Sequence, residues 1–436
     1  MKIAVVGAGI TGIVSAYELS KQNIQVDLYE KDSEIGGIAG TFSYDGFSLE
    51  KYYHHFFKSD KYIEKLSKEV GVYDNLKWVN TPMGYFSHLF FIFITYDFGT
   101  PVSLLKFKPL DFLDKIRFGM SVVKILSINN WKHLEEITAY DWIVKNAGEE
   151  VFNTVWKPLL VGKFGDRYKD ISMAWLWGKI KLRGSSKENG REALGYFDGS
   201  IGVLLHKLED KLIKNGCNII LDSEVQRIDK KSKFNIITKL GESTYDGVIS
   251  TIPLPEFIRI SRGMLPNSYI EEKKSIEYTA VSCMILLLKR QLSKYYWLNI
   301  GDESIPFGGL IEHTNMIGKK VYKGNNILYI SNYLYKDNAY FDMDIEDLLD
   351  QYIPHIKKIN PKFDKSWIND KFLFKDVFAQ PIIKKGYLSI KPELETPIEG
   401  LYVANMCSIY PEDRGVNYAI KYGIDATKKV GKLHEK

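Results

Sequence analysis

The feature that most constrains the fold is a glycine motif between a short apolar run and a helical pattern. Residues 3–6 form the apolar run, and Gly7, Gly9 and Gly12 follow at the spacing G-x-G-x-x-G. Gly7 permits a tight turn out of a strand, Gly9 lets a phosphate approach the backbone, and Gly12 lets the next helix pack closely. The start of that helix, where Thr11 lies, offers free N–H groups to phosphate oxygens. The motif therefore predicts a βαβ unit that binds a dinucleotide.

An acidic residue ends the second predicted strand. Glu30 lies about 20 residues after the glycine motif, and Lys31 follows it. A carboxylate at this distance accepts hydrogen bonds from the adenosine ribose of a dinucleotide. Because an acid here favours an unphosphorylated ribose, the sequence predicts NAD or FAD and not NADP.

A second glycine pair selects between these two cofactors. Residues 32–41 read DSEIGGIAGT and resemble the G-G-x-x-x-T segment of FAD-dependent amine oxidases, protoporphyrinogen oxidases and phytoene desaturases. In that superfamily the pair lies along the FAD diphosphate, so the resemblance implicates three residues here: Gly36, Gly37 and Thr41. The chain departs from the family where arginine is usual, since Glu34 and Ile38 stand there. Backbone N–H groups or another side chain would then contact the diphosphate.

A middle segment carries the same resemblance. Residues 199–228 read as a glycine, an amphipathic helix, a glycine stop and a strand, with Leu204, Leu208 and Leu212 on one helical face. Superfamily members have a similar helix before a strand whose backbone contacts adenine. The matching position in this sequence is near Val225.

The third segment lies near the C-terminus. Residues 400–426 resemble the closing strand, loop and helix of these flavoproteins, in which a helix N-terminus faces the flavin pyrimidine. The resemblance implicates four residues as contacts of FAD: Asn405, Gly415, Val416 and Ala419. Asn405-Met406 replaces the usual Gly-Glu or Gly-Asp, so the ribityl contacts are less well matched than the helix. Three segments in the right order make FAD the predicted cofactor.

The order of these segments predicts an α/β protein with two interleaved domains, for which 436 residues suffice. We expect a Rossmann-type FAD-binding domain in residues 1–75, 196–252 and 396–436. An α+β substrate domain, with a mixed sheet covered by helices, is expected in residues 76–195 and 253–395. Within the latter, strands are predicted at 281–289 and 327–333, and helices at 132–146, 149–161 and 345–359.

Composition indicates a globular protein and excludes some partners. Hydrophobic residues make up 45% and charged residues 26% of the chain. The net charge of +5 is small and no basic stripe is present, so a nucleic-acid partner is not expected. The three cysteines are far apart and show neither a metal-ligand spacing nor a disulfide framework, which fits a reducing, cytoplasmic compartment. We identify no signal peptide and no apolar run of about 20 residues that would span a membrane.

One region leaves a peripheral membrane contact open. Residues 83–131 combine many aromatic side chains with four lysines, Lys106, Lys108, Lys115 and Lys124. The apolar run 89–95 is too short to span a bilayer. The region can be a surface that touches a membrane, or a mouth for a lipid-like substrate. The preferred interpretation is a hairpin and helix that line a cavity of the substrate domain. The sequence does not predict the oligomeric state.

Two histidines are candidates for catalysis. Residues 52–57 read YYHHFF and follow the second glycine pair by about a dozen residues, where superfamily chains return to the flavin. We prefer His55, which can exchange a proton beside flavin N5 or the substrate, although a packed histidine bonded to backbone is the alternative. Strand alternation over residues 311–315 predicts that His313 shares a face with Ile311, in a site or in the core.

A charged run before the closing helix offers a third candidate. Residues 410–414 read YPEDR, and Arg414 can hold an anionic group of the substrate or brace the loop through an ion pair. Lys384 and Lys385 are candidates for the flavin-facing lysine of many amine oxidases, but solvated lysines are the better interpretation.

Four segments carry a narrower resemblance over the whole chain. They are YYHHFF, WKPLLVGKFG at residues 156–165, IEHTN and YPEDRGVNYA. They are similar to a protoporphyrinogen-oxidase-like branch of bacterial and archaeal flavoproteins that are often encoded beside polysaccharide genes. This resemblance identifies relatives better than it identifies a reaction.

The resulting hypothesis is an FAD-dependent oxidoreductase that takes a hydride from an organic substrate onto flavin N5. The alternative is a redox-neutral sugar-nucleotide mutase that uses reduced flavin, because YHHFF resembles the histidine-bearing loop of UDP-galactopyranose mutases. Those enzymes need paired arginines for the substrate diphosphate, and the candidates here are Arg167, Arg183, Arg191 and Arg414. A flavin-bound structural protein without turnover is the third hypothesis.

Overall fold

A five-stranded parallel sheet brings together distant parts of the chain. The computed structural model describes residues 1–89, 92–188 and 191–434. The strand order across this sheet is Asn218–Ile220, Gln25–Tyr29, Lys2–Val6, Gly247–Ser250 and Leu401–Val403. All neighbours run parallel, and the central strands are apolar and buried, as expected where helices cover both faces. The sheet is the Rossmann-type sheet that the glycine motif predicts.

The first and last helices of the chain pack against each other beside this sheet. The helix Ile10–Ser20 follows the glycine turn, and Val416–His434 returns from the far end of the chain. A Cβ atom on Gly423 would lie only 2.8 Å from the carbonyl oxygen of Thr11, so only glycine permits this approach. The Ser15 hydroxyl also donates to the Gly423 carbonyl at 3.2 Å. The C-terminal helix is thereby fixed close to the predicted phosphate-binding turn.

A seven-stranded mixed sheet forms the second large layer. Its strand order is Ile368–Pro381, Tyr278–Leu288, Asn326–Leu334, Gly309–Glu312, Trp297–Ile300, Met83–Leu89 and Ile92–Asp97. Trp297–Ile300 and Met83–Leu89 are parallel, whereas the other neighbours are antiparallel. The helix Ile345–Ile359 packs on this sheet through buried Leu348, Leu349, Tyr352 and Ile356. The structure thus confirms the α/β class and the mixed sheet covered by helices.

Smaller elements complete the fold. Three further sheets contain the strands Val225–Lys230, Phe234–Thr238 and Gly241–Tyr245; Phe56–Phe57, Leu76–Asn80, Lys187–Glu188 and Arg191–Phe197; and Thr41–Tyr44 and Phe47–Glu50. The remaining helices are Lys61–Val70, Pro101–Leu105, Phe112–Ser127, Ala139–Ala147, Glu149–Val151, Lys157–Phe164, Met173–Gly184, Gly202–Lys214, Leu254–Ser261, Asn267–Lys274, Ala339–Asp342 and Tyr387–Ile390. Among the described residues, no helix is both long and apolar enough to cross a membrane.

Two predicted helices differ from those observed. In place of one helix over 132–146, a short 3-10 turn at Lys132–Leu134 precedes the helix Ala139–Ala147. The second helix starts late because the Thr138 hydroxyl accepts the Asp141 N–H at 3.0 Å and caps it. The segment predicted over 149–161 contains a π-helical turn at Phe152–Trp156. The helix 345–359 and both predicted strands of the mixed sheet are confirmed within one to three residues at each end.

Candidate active site

The first glycine turn forms an open cradle. Gly7 has a positive φ of 98°, and its N–H donates to the Tyr29 carbonyl at 2.8 Å. A Cβ atom on Gly9 would meet no atom within 4 Å, so this residue faces open space. The first bond of the following helix runs from the Ile13 N–H to the Gly9 carbonyl at 3.0 Å, which leaves earlier N–H groups, including that of Thr11, at an open helix end. The turn therefore has the room and the donors that a phosphate group requires.

The packing of Gly12 explains the third glycine of the motif. A Cβ atom on Gly12 would lie 1.8 Å from the carbonyl oxygen of Gly7 and 2.9 Å from the Thr251 hydroxyl oxygen. No other residue fits without moving the backbone. The helix is thereby held against the strand from which the turn emerges, as the motif predicts.

Glu30 is held beside the glycine turn by backbone donors. It is buried, and its Oε2 atom accepts the Ala8 N–H at 2.6 Å. Its Oε1 atom accepts the N–H groups of Lys31 at 2.8 Å and Asp32 at 3.1 Å. Burial raises the pKa of Glu30, although these donors oppose the shift. A carboxylate has about four acceptor positions, so Glu30 can still accept a ribose hydroxyl, whereas the Lys31 side chain points to solvent.

The second glycine pair adjoins the first turn. Gly36 and Gly37 both have positive φ angles, 117° and 56°, and the Gly36 N–H donates to the Ala8 carbonyl at 2.7 Å. A Cβ atom on Gly37 would lie 3.3 Å from the Cα atom of Gly9. The next residue, Ile38, lines the large cavity described below. The two predicted diphosphate segments therefore lie side by side and lead to that cavity.

The other predicted cofactor residues lie around this cradle. Val225 is buried at the start of its strand, and Thr41 is half-buried at the start of another. The Asn405 side chain bonds only to the chain's own backbone in the described residues, since its Oδ1 accepts the Cys407 N–H at 3.0 Å and its Nδ2 donates to the Ile252 carbonyl at 3.1 Å. Asn405 therefore ties the loop after the last strand to the region of the glycine turn.

A cavity of about 270 Å³ lies where the start of the C-terminal helix faces the mixed sheet. Gly415 and Val416 line it, and a Cβ atom on Gly415 would meet no atom within 4 Å. The first α-helical hydrogen bond runs from the Ala419 N–H to the Gly415 carbonyl at 2.9 Å. The positive end of the helix dipole is therefore directed at the cavity, with Ala419 in the first turn.

Buried Asp413 and the half-buried Lys163 and Lys179 form one charged cluster in the cavity wall. The Asp413 Oδ2 atom lies 2.9 Å from the Lys163 Nζ and 2.6 Å from the Lys179 Nζ, and its Oδ1 accepts the Trp175 Nε1–H at 3.1 Å. Burial by itself would raise the pKa of Asp413, but the two ammonium groups hold it well below its usual range. Burial lowers the pKa of Lys163 and lowers that of Lys179 to about 8.

Arg414 follows this cluster and also lines the cavity. Its Nε–H donates to the Gln380 Oε1 at 2.7 Å, and its NH2 group donates to the Tyr333 hydroxyl at 2.6 Å. Although burial opposes it, the neighbouring Tyr333 and Asp413 raise the pKa of Arg414. Because neither hydrogen-bonded partner is a carboxylate, the guanidinium keeps its charge available to a ligand.

Both histidines of the YYHHFF segment line the cavity. The His55 Nδ1 lies 3.1 Å from the Tyr296 hydroxyl, and the ring packs edge-on against Trp297. Burial lowers the pKa of His55 to about 3 and that of His54, whose Nδ1 lies 2.7 Å from the Tyr52 carbonyl, to about 4. Both rings are therefore neutral at physiological pH.

The structure places His313 away from the cavity. The strand that was expected to continue through this residue ends at Glu312, whose carboxylate accepts the Leu292 and Ser293 N–H groups. His313 begins a 3-10 turn, and its Nε2 lies 2.6 Å from the Tyr322 hydroxyl. The ring is 2% exposed and packs against three tyrosines, Tyr196, Tyr322 and Tyr329. Ile311 is buried in the same cluster as these tyrosines, so His313 lies on its side as expected, but in the core and not in the cavity.

Of the four arginines considered for a diphosphate clamp, the structure brings only two to the cavity among the described side chains. Arg183 and Arg414 both line the cavity. Arg167 instead pairs with Glu277 at 2.9 Å, and the Arg191 side chain lies outside the described part of the chain. Sequence reasoning missed Lys163 and Lys179; the former lies within the WKPLLVGKFG segment, which was noted only as a family resemblance.

The parallel sheet and the glycine cradle define a protein of the Rossmann type, with a cavity beside the start of its C-terminal helix. Residues 10–430 match the sequence model of the flavin-containing amine oxidoreductases. The chain belongs to this family.

Individual relatives and solved structures agree with this assignment. The zeta-carotene desaturase of Synechocystis is 28% identical over 272 residues, which cover 57% of this chain and 54% of the relative. The chain thus spans about half the length of this curated relative. A protein from Exiguobacterium, provisionally described as a protoporphyrinogen oxidase, superposes with a TM-score of 0.78 at 15% identity over 100% of this chain and 99% of that one. Reduced UDP-galactopyranose mutase gives 0.76 at 17% identity over 99% and 96%. At such identities the structures show the fold alone.

Proposed function

We propose that the chain is an FAD-dependent oxidoreductase that takes a hydride from an organic substrate onto flavin N5, and that this substrate carries an acidic group. The observation that carries the proposal is the position of the charged cavity, which begins at Ile38 beside the glycine cradle and ends at the helix start near Val416. A cofactor that reaches from the cradle into the cavity must be long. FAD, with an adenosine, a diphosphate and a flavin, has this form.

The cradle residues match the parts of FAD in order. N–H groups around Gly9 and Gly37 would bind the diphosphate, and Glu30 would accept the ribose hydroxyls. The strand that starts at Val225 would contact the adenine, and the helix that starts at Val416 would face the pyrimidine. Bound FAD supplies the hydride acceptor, whereas this chain supplies orientation, charge and exclusion of water.

The same arrangement supports the proposed division of the chain. We assign residues 1–75, 196–252 and 396–436 to cofactor binding and residues 76–195 and 253–395 to substrate binding. The parallel sheet and the glycine cradle belong to the first set, whereas Lys163, Lys179 and all seven strands of the mixed sheet belong to the second. The cavity lies between the two sets.

The charge of the cavity supports an acidic substrate. Four cationic side chains among the described residues line it: Lys163, Lys179, Arg183 and Arg414. They face two carboxyl groups, those of Asp413 and Asp60, and burial raises the pKa of Asp60 to about 7. Arg183 also pairs with Glu192 at 3.6 Å, but the cationic groups still outnumber the carboxyl groups, and a buried charge without a partner is costly. A carboxylate or phosphate on the substrate would balance it, whereas a protonated amine would be repelled.

The rest of the cavity wall suits an apolar body. Leu159, Leu182, Val281 and Trp297 line it together with the aromatic residues of the YYHHFF segment. We therefore propose a substrate that combines an apolar or ring portion with one acidic group. Lys179 and Arg414 would bind the acidic group and thereby fix the position of the bond that is oxidised.

His55 is the proposed proton carrier. It is neutral at physiological pH because burial lowers its pKa to about 3. A neutral imidazole can accept a proton from the substrate, and a bound anion nearby would raise its pKa towards the working range. Tyr296, 3.1 Å from the His55 Nδ1, would hold the ring in place.

Flavin reduction under anaerobic conditions tests the proposal. The purified protein should be yellow and should release FAD, identified by mass, on denaturation. Compounds that share an apolar body but differ in one group, a carboxylate, a phosphate, an amide or an amine, should bleach the flavin only when the group is acidic. Bleaching by the amines alone would overturn the acidic-substrate proposal. Folded protein that is colourless and does not take up added FAD would overturn the whole.

A sugar-nucleotide mutase is the second candidate. The observation that favours it is that Arg183 and Arg414 line the same cavity and could contact a substrate diphosphate. This activity would appear only after reduction with dithionite, as conversion of UDP-galactopyranose to its furanose isomer without consumption of an electron acceptor. Oxidation of acidic substrates with consumption of an acceptor would instead support the first candidate.

A further inference from the structure

The helix Phe112–Ser127 turns an apolar face outward. Among its described residues, five large apolar side chains are 42–67% exposed: Phe112, Leu113, Ile116, Met120 and Val123. At about 100° per residue they fall within one arc of about 100° on the helix surface. The opposite side carries Asp114, Ser121 and Ile125, which are buried. We name the five exposed residues the outer stripe.

A neighbouring helix extends this surface. In Pro101–Leu105, Val102 is 61% and Leu105 is 62% exposed. The two helices touch, since the Lys115 Nζ donates to the Leu105 carbonyl at 3.1 Å and a Cβ atom on Gly119 would lie 3.9 Å from the Leu104 side chain. Single exposed apolar side chains are ordinary in globular proteins, but a continuous patch marks an interaction surface.

Basic side chains surround the patch. Residues 101–127 contain five basic residues, Lys106, Lys108, Lys115, Arg117 and Lys124, and two acidic ones, Asp111 and Asp114. Both acids are used within the helix: Asp111 caps it by accepting the Asp114 N–H at 2.8 Å, and Asp114 accepts the Arg117 NH1 at 2.9 Å. Around the helix axis, Lys124 and Arg117 lie about 20–40° beyond one edge of the outer stripe. An apolar stripe bordered by cations is typical of helices that lie in the headgroup layer of a membrane.

We propose that the outer stripe docks this protein on an anionic lipid bilayer, with the helix lying in the plane of the membrane surface. The surrounding cations complement anionic headgroups. A second copy of the chain would bring its own cations against them, so the charge disfavours a dimer through this face. The helix of 16 residues is about 24 Å long and has a buried side, so it rests on the bilayer and does not cross it.

Vesicle binding of the full flavoprotein tests this surface. We expect it to sediment with phosphatidylcholine vesicles that contain phosphatidylglycerol, to bind phosphatidylcholine vesicles at least tenfold more weakly, and to dissociate as salt is raised. The double variant M120E/V123E should lose at least tenfold in vesicle affinity. Flavin content and melting temperature should stay unchanged, because both side chains point away from the protein.

A matched control variant separates lipid docking from general surface effects. Ile213 and Leu240 are 63% and 69% exposed and lie far along the chain from the stripe. I213E/L240E adds the same charge and should bind vesicles as the unaltered protein does. Equal loss in both variants, no binding to anionic vesicles, or a dimer in sedimentation analysis that M120E/V123E abolishes would each overturn the proposal.

A spectroscopic measurement keeps the proposal testable should the charged variant misfold. Cys217, Cys283 and Cys407 are buried, so a dye that reacts with thiols can be directed to Met120→Cys or, as a control, to Leu240→Cys. An environment-sensitive dye at position 120 should shift its emission to the blue on addition of anionic vesicles, and the dye at position 240 should not. No shift at position 120 would overturn the proposal.

Discussion

The Lys179 Nζ lies 2.6 Å from the Asp413 Oδ2 in the wall of the cavity, and the same oxygen lies 2.9 Å from the Lys163 Nζ. One carboxylate thus faces two ammonium groups, so the cluster carries net positive charge next to the start of the C-terminal helix. The Lys179 side chain keeps 36% of its surface accessible because it lines the cavity, whereas that of Asp413 keeps 8%. The cluster is fixed by Asp413 and open to a ligand through Lys179.

Asp413→Asn should destabilise the fold. The change leaves Lys163 and Lys179 close together without their shared counter-charge, and breaking a buried ion pair from one side costs about 3–5 kcal/mol. Chemical denaturation should therefore show a free energy of unfolding lower by about 3 kcal/mol. The surface pair of Lys365 and Asp350 offers a control, since Asp350→Asn should cost less than about 1 kcal/mol. Equal small losses in both variants would contradict a structural role for Asp413.

Binding of an acidic ligand should weaken as the pH rises through about 8. Burial lowers the pKa of Lys179 to about 8, so its positive charge is present below that pH and lost above it. Titration of the flavin absorbance with an acidic ligand at pH 6.5 to 9.5 measures this effect. In Lys179→Arg the charge persists, and the decline should move to higher pH. A decline that is identical in both proteins would mean that another group titrates.

Gly9→Val should remove the flavin without unfolding the chain. Gly9 has a φ of −70°, which any residue adopts, and its Cβ would meet no protein atom within 4 Å. The valine side chain would instead occupy the space proposed for the diphosphate. The variant should melt like the unaltered apoprotein and bind FAD at least 100-fold more weakly. Gly263→Val, also in open space, should keep its colour, and a yellow Gly9→Val protein would argue against the cradle.

His55→Ala should keep the flavin and slow its reduction by substrate at least tenfold, because the proposed proton carrier is lost. His313→Ala provides the contrast: its ring is buried among tyrosines outside the cavity, so the free energy of unfolding should fall by about 1–3 kcal/mol while the reduction rate stays the same. Stopped-flow reduction and denaturation measure the two effects. Should the rate fall equally in both, neither assignment would hold.

Glu50→Gln should flatten the dependence of stability on pH. Burial raises the pKa of Glu50 to about 7, so between its ordinary value of 4.5 and about 7 the folded protein holds a proton that the unfolded chain releases. Stability from this group is therefore greatest below pH 4.5 and is lost as the pH rises through 7. When the pH is raised from 5.5 to 8, the melting temperature should fall less in the variant than in the unaltered protein.

Exposed Glu136→Gln is the control for that measurement and should leave the pH dependence unchanged. Asp60 and Glu312 act in the same direction as Glu50, since burial raises the pKa of each to about 7. Glu50→Gln should therefore remove a part of the slope and not all of it. A slope as steep as that of the unaltered protein would show that Glu50 is ionised in the folded state at neutral pH.

The cofactor side of the fold could be predicted because its signals are local. Gly7, Gly9 and Gly12 are needed within six residues of each other, and Glu30 ends the adjoining strand. Such a turn accepts few other residues, since a Cβ atom at position 12 would collide with the backbone. Long strands and the helix Ile345–Ile359 were also predictable, because their apolar periodicity is sustained over many residues.

The substrate side could not be predicted, because it depends on contacts between distant segments. Lys179 reaches Asp413 across 234 residues, and a lone lysine in a helix carries no spacing signal. Asn417 shows the same limit: its Oδ1 accepts the Tyr62 and Ile63 N–H groups and caps a helix more than 350 residues away. His313 was misplaced on a strand because alternation cannot reveal that Glu312 ends it with bonds to residues 292 and 293.

The scattered origin of the parallel sheet sets the timing of cofactor loading during synthesis. The ribosome makes Lys2–Val6 first and Leu401–Val403 roughly 400 residues later, a delay of about 20–80 s at ordinary elongation rates. Until then the sheet lacks its edge strand Leu401–Val403, and the helix Val416–His434 has not been made. The nascent chain must therefore wait in an incomplete state, and the proposed cofactor can be captured only after the helix Val416–His434 has been made.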